Sequence, residues 1–146
     1  MRDLTQDWPG PLILIDPATD PDGAVKRAAF RAADVALAAS GTVSLELAAA
    51  GTPMVIAYDM AWLSRQIITR MLIVDTLTLV NLVSDTRRIP EFIGQDCQPK
   101  PIASAILAVM ADPSAQRLAM RVTLERLGQG GEAPGLRAAK AILARA

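Results

Sequence analysis

Ser40, Gly41 and Thr42 lie between two apolar runs, and Glu46 follows four residues after Thr42. Three small residues in such a setting can expose consecutive backbone N–H groups, and a helix that starts on them adds the positive end of its dipole. That combination binds anions, phosphate above all. Glu46 stands one place too late for a capping box with Thr42, which would need an acid at position 45. A spacing of four instead puts it on the same side as Thr42, one turn above the loop. A carboxylate there can accept two hydrogen bonds from a vicinal diol such as ribose. From these residues alone, an ordinary strand-to-helix turn and a solvated surface acid fit equally well.

The flanking elements decide whether the loop is placed to work. Val35 to Ala39 is apolar throughout, as expected of a central parallel strand buried on both faces. A helix is expected over Val43 to Ala50, ended by Gly51 and Pro53, with Leu45, Ala48 and Ala49 toward the sheet. Met54 to Ala57 then reads as the next strand. This order sets the loop on the carboxyl edge of a parallel sheet, where open α/β folds bind ligands. Upstream, Leu12-Ile13-Leu14-Ile15 reads as a strand closed by Asp16-Pro17. Asp20 to Asp22 can cap a helix over Ala24 to Ala33.

Downstream, residues 61–74 carry Leu63, Ile67, Ile68, Met71 and Leu72 at helical spacing. Leu77 to Val80 reads as a short strand, and Asn81 to Gln98 as a polar loop with a helical piece around Pro90 to Ile93. A helix over Pro101 to Ala111 should bury Ile102, Ile106 and Met110. Asp112-Pro113 opens another helix to about Leu127. Gly128, Gly130 and Gly131 break it, and a last helix is expected from Pro134 to Arg145. Strand–helix repeats followed by helices alone indicate an α/β fold: a parallel-sheet Rossmann-like half-domain with extra carboxyl-terminal helices. Three or four strands are few for such a sheet. Together with the abrupt start before Leu12, this reads as a segment of a longer protein or one half of a pair.

Composition narrows the chemistry. Basic and acidic side chains balance at 15 each, which argues against nucleic acid as a partner. The chain has no histidine, so the commonest general base and zinc ligand are missing. No carboxylate cluster asks for a metal, so neither metal nor cofactor is expected. Cys97 is the single cysteine and forms no internal disulfide, in keeping with a reducing compartment. The polar start from Met1 to Trp8 is no secretory leader, and no apolar run is long enough to span a bilayer. Gly-x-Gly-x-x-Gly and P-loop patterns are absent.

Ala-Ser-Gly-Thr-x-x-x-Glu (39–46), Ala-Gly-Thr-Pro-Met-Val-x-x-Tyr (50–58), Asn81-Leu82 and Pro90-Glu91-Phe92 occur in this order. The set resembles lipid-A-disaccharide synthase, a bacterial glycosyltransferase family built from two Rossmann-like domains. The resemblance runs from about Leu12 to the end and covers most of the carboxyl-terminal nucleotide-binding domain. It implies an enzyme that joins a UDP-linked diacylglucosamine to a diacylglucosamine-1-phosphate acceptor and releases UDP. It further implies that Ser40, Gly41 and Thr42 hold the diphosphate and that Glu46 holds the ribose. Tyr58, Asn81 and Glu91 would line the donor pocket. The catalytic base would lie in an absent amino-terminal domain, leaving this piece inactive alone. On this basis residues 1–128 form a partial UDP-sugar-binding domain, and 129–146 a helix after a glycine hinge. The sequence departs from the family pattern at Asp59, where an arginine is usual, and at Val80, where a proline is common.

Two other readings use part of the same evidence. Ser-Gly-Thr with its glutamate is shared with other UDP-sugar glycosyltransferases and UDP-sugar 2-epimerases. Asp59 in place of arginine suits a non-catalytic α/β interaction module. The 61–74 stripe, with Trp62, Arg65 and Arg70, could touch a membrane surface, giving a cytoplasmic protein peripheral on the inner membrane. Sheet packing explains the same stripe. Leu136, Ala139, Ile142 and Leu143 line one side of the last helix and could pair two copies of the chain.

Overall fold

Met54 to Tyr58 places two β-branched residues in an apolar run, and it forms the central strand of the sheet. The computed structural model describes residues 5, 7–39, 41–59, 75–132 and 134–144. Ser40 and the helix expected over 61–74 lie outside the described residues. In chain order the elements are α1 (Ala24–Ala32), β1 (Ala36–Ala38), α2 (Val43–Ala50), β2 (Met54–Tyr58), α3 (Leu79–Ser84), β3 (Glu91–Ile93), α4 (Pro99–Ala111), α5 (Ser114–Arg126) and α6 (Pro134–Leu143). Short 3-10 turns cover Pro17–Thr19 and Gly94–Asp96.

The strands are all parallel in the order β1-β2-β3, with Ala36 beside Met54 and Ile56 beside Glu91. This is the expected α/β architecture with a small parallel sheet. Met54, Val55 and Ile56 are fully buried. Met54 and Ile56 join Leu47, Ala48, Val80, Ile89, Ala119 and Met120 in the main core. Val55 points to the opposite face, where α4 packs on β2 and buries Val109.

Local signals account for most helix ends. The Asp20 carboxylate accepts from Lys26 N (2.9 Å) and Val25 N (3.0 Å), and these bonds hold its pKa below the usual range. Gly51 ends α2 at φ +78°, a left-handed conformation that glycine adopts without a Cβ penalty. Asp112 Oδ1 accepts from Ser114 N at the start of α5. Along α5, Gln116, Ala119, Met120 and Thr123 make the buried stripe at helical spacing.

Several expectations are corrected. Leu12 to Ile15 forms no strand, and Ile13 is 87% exposed. A parallel strand needs a neighbour to receive its hydrogen bonds, and this run finds none among the described residues. The strand expected over Val35 to Ala39 covers Ala36–Ala38 and has β2 as its one neighbour among the described residues, with Leu37 56% exposed. On α2, Ser44, Leu47 and Ala48 are buried, whereas Ala49 is exposed and Leu45 half-buried. Leu77 to Val80 is the turn into α3 rather than a strand, and Glu91 to Ile93 is a strand rather than a helical piece. On α4, Met110 is exposed and Val109 takes its place in the interior.

Two carboxamides satisfy buried backbone that no strand reaches. Gln116 Oε1 accepts from Met54 N (2.8 Å), and its Nε2 donates to Met54 O (2.9 Å). Strand β3 begins too late to reach Met54, so the side chain of α5 stands in for a strand there. Asn81 of α3 makes the same two-bond pairing with Ile89, in the loop before β3, accepting from its N (2.9 Å) and donating to its O (2.9 Å). Beyond α5, Arg137 of α6 donates to Leu127 O (2.8 Å) and lies across Gly128, where an added Cβ would meet it at 2.7 Å.

Candidate functional site

The parallel order puts the loop after β1, the end of β2 at Tyr58 and the end of β3 at Ile93 on one edge of the sheet. Gly41, in the loop after β1, has φ +123°, and among the described residues beyond its chain neighbours no atom lies within 4 Å of where its Cβ would be. Among the described residues the loop is open at this point, and glycine supplies a conformation that other residues rarely adopt. Helix α2 starts immediately after. Ser44 N donates to Gly41 O, and Leu45 N and Glu46 N both donate to Thr42 O. Ser44 Oγ also donates to Gly41 O (2.9 Å) and is buried beneath the turn. Thr42 makes no side-chain cap. The amides of Gly41, Thr42 and Val43 thus have no partner among the described residues. These are the groups that an anion could occupy.

Glu46 lies in the first turn of α2 and is exposed. Its Oε2 is 2.6 Å from Lys26 Nζ of α1. Lys26, which spacing alone does not single out, is the group facing this carboxylate. Nothing in the 3.6-residue periodicity of α1 pairs it with a residue 20 positions on. Tyr58 closes β2 at the same edge and is 42% exposed.

Asn81 and Glu91 form a second cluster. Glu91 opens β3, level with Ile56 of β2. Its Oε1 accepts from Thr76 Oγ1 and from Thr78 N (2.7 Å), and its Oε2 from Leu77 N (3.2 Å). Asn81 Nδ2 reaches the same Oε1 at 3.2 Å. Glu91 is therefore the cap of α3, supplied from far along the chain, in place of any side-chain cap from Thr78. Burial raises the Glu91 pKa, but the bonds from Thr76, Thr78 and Leu77 outweigh it and leave the pKa below its ordinary value. Asn81 is 1% exposed, with its carboxamide committed to Ile89 and Glu91. The structure brings Asn81 and Glu91 together, and separately Gly41, Thr42 and Glu46. No hydrogen bond joins the two clusters among the described residues. Helices α2 and α3, which carry residues of the two clusters, pack on each other.

Among the described residues no group of three metal-ligating side chains occurs, and no helix is long and apolar enough to cross a membrane. Cys97 is a free, half-buried thiol.

A family model described as lipid-A-disaccharide synthetase matches residues 21–144. That span includes the Gly41 loop, Glu46, Tyr58, Asn81 and Glu91. The chain belongs to the lipid-A-disaccharide synthase family. It is 61% identical over 142 residues to the lipid-A-disaccharide synthase of Ruegeria pomeroyi, covering 95% of this chain and 35% of that protein. It is 45% identical over 126 residues to that of Paramagnetospirillum magneticum, covering 83% of this chain and 32% of the relative. With the synthase of Rhodospirillum centenum it shares 40% over 146 residues, covering 98% and 35% respectively. The chain thus spans about a third of the length of these synthases.

Proposed function

We propose that this chain is the donor-binding portion of a lipid-A-disaccharide synthase, a glycosyltransferase that transfers a UDP-linked acylated glucosamine and releases UDP. The observation that carries the reading is the run of amides from Gly41 to Val43 at the start of α2, unpartnered among the described residues, with Glu46 one turn above. In this reading Ser40, Gly41 and Thr42 hold the diphosphate, and Glu46 accepts from the ribose hydroxyls. As the glycosidic bond to UDP breaks, negative charge grows on the diphosphate. Fixed amides at a helix start stabilise that charge without having to reorganise. In this reading Tyr58, at the exposed end of β2, lines the donor pocket. Asn81 and Glu91 contribute to its lining by holding the turn at Thr76–Thr78.

The general base and the acceptor groove belong to the portion of the synthase that this chain does not include. The chain alone is then inactive, and the complete enzyme works in the cytoplasm at the inner-membrane surface. Residues 1–128 act as the partial nucleotide-binding domain, and the helix after Gly128 connects to the remainder.

Calorimetric titration of UDP into the full-length polypeptide, wild type and Glu46→Ala, tests the assignment. Loss of charge-assisted hydrogen bonds to the ribose should weaken UDP roughly tenfold or more in the variant. Equal affinity for the two proteins would remove Glu46 from the site.

A further inference from the structure

Lys26 is the one basic side chain the structure sets against Glu46 among the described residues, and it is held there by more than chance contact. Helix α1 is anchored at its start by Asp20, which accepts from Lys26's own amide. It is anchored at its end by the Thr52 hydroxyl, which donates to Phe30 O. Lys26 Nζ lies 5.8 Å from the centre of the Phe30 ring, one turn further along the same helix. From that seat it meets Oε2 of Glu46 at 2.6 Å. Lys26 also lines a depression of about 400 Å³ with Ile15, Asp20, Gly23 and Arg27. Its ammonium therefore approaches the carboxylate from the α1 side.

The pair is partly open to solvent, with side-chain exposures of 45% for Lys26 and 42% for Glu46. Such a pair contributes little to folding. Its use lies elsewhere. A free glutamate on a helix surface samples several rotamers, and ordering it on binding costs conformational entropy. An ammonium bound to one oxygen fixes the carboxylate and leaves the other oxygen with its acceptor sites free.

We propose that Lys26 is a positioning residue for Glu46: it holds Oε2 so that Oε1 is presented to the vicinal diol of the bound nucleotide. The proposal rests on the assignment of Glu46 to the ribose. It does not place Lys26 on the nucleotide.

The test is calorimetry on the full-length polypeptide with two probes, UDP and 2′,3′-dideoxy-UDP. The proteins are wild type, Lys26→Met, Lys26→Arg, Glu46→Ala and the double variant Lys26→Met/Glu46→Ala. Lys26→Met should weaken UDP by about threefold, the scale of an exposed ion pair. It should leave the dideoxy nucleotide unchanged, and Lys26→Arg should restore UDP binding. In the Glu46→Ala background Lys26→Met should have no effect. An equal loss with both nucleotides, or the same loss without Glu46, would make Lys26 a direct ligand contact and overturn the proposal. Selective loss of UDP in Glu46→Ala, with none in Lys26→Met, would overturn it while leaving the ribose assignment intact. Unchanged UDP binding in Glu46→Ala would end both.

Discussion

Replacing Asn81 with aspartate changes one nitrogen into an oxygen at almost constant shape, at a site 1% exposed. The Oδ1 atom can still accept from Ile89 N, so that bond survives. The Nδ2 atom is lost, and with it the bond to Ile89 O and the contact to Glu91 Oε1 at 3.2 Å. Leaving the buried Ile89 carbonyl unsatisfied costs about 1–3 kcal/mol. A second carboxylate beside Glu91 adds a like-charge repulsion while both are ionised, a cost of about 1.4 kcal/mol for each unit of pKa shift it produces. Asn81→Asp should therefore destabilise the fold by about 3–6 kcal/mol at about pH 7. The penalty should shrink at about pH 5, because the introduced carboxyl regains a donor once it is protonated. Urea denaturation of wild type and variant at both pH values reads this directly. A loss under about 1 kcal/mol at the higher pH, or one that grows on acidification, would refute the account of Asn81 as the partner of the buried Ile89 backbone.

Gln116→Ala should cost about 2–6 kcal/mol in the same assay, since it strips both partners from the buried Met54 N and O. Glu91 titrates below its ordinary value in the fold, so its contribution is present above the unfolded pKa and is lost as pH falls through the folded one. Glu91→Gln should accordingly flatten the acid side of the stability profile, measured by thermal melting across the carboxylate range. An unchanged acid limb would show that the cap of α3 does not depend on this charge.

The parts of the fold that are legible in the sequence are those whose signals are local. Helix α2 shows Gly51 and Pro53 at its end, α5 shows Asp112-Pro113 at its start, and β2 is a compact apolar run. The region from Thr76 to Ile93 reads wrongly because its organising contacts skip many residues. Glu91 caps a helix that starts 12 positions earlier, at Leu79, and Asn81 pairs with Ile89 across a loop. No spacing rule within one helix or strand anticipates either bond. The same holds for the site. The Gly41 turn and Glu46 stand out because strand, loop and helix follow one another, whereas Lys26 faces Glu46 only once α1 packs on α2. Leu12 to Ile15 misleads in the opposite sense. A strand is a pairing, and an apolar run that finds no neighbour does not make one.

The rung that Gln116 closes lies 62 residues from the strand it serves. A chain cut short after α4 would keep every residue of β1, β2 and β3 and still leave Met54 N and O of the middle strand without their protein partner. Such a truncation, whether by a premature stop codon or a protease, removes more than one layer of covering. It reopens the sheet at its centre, so the order in which the ribosome releases the chain matters: the middle strand cannot be completed until α5 has emerged.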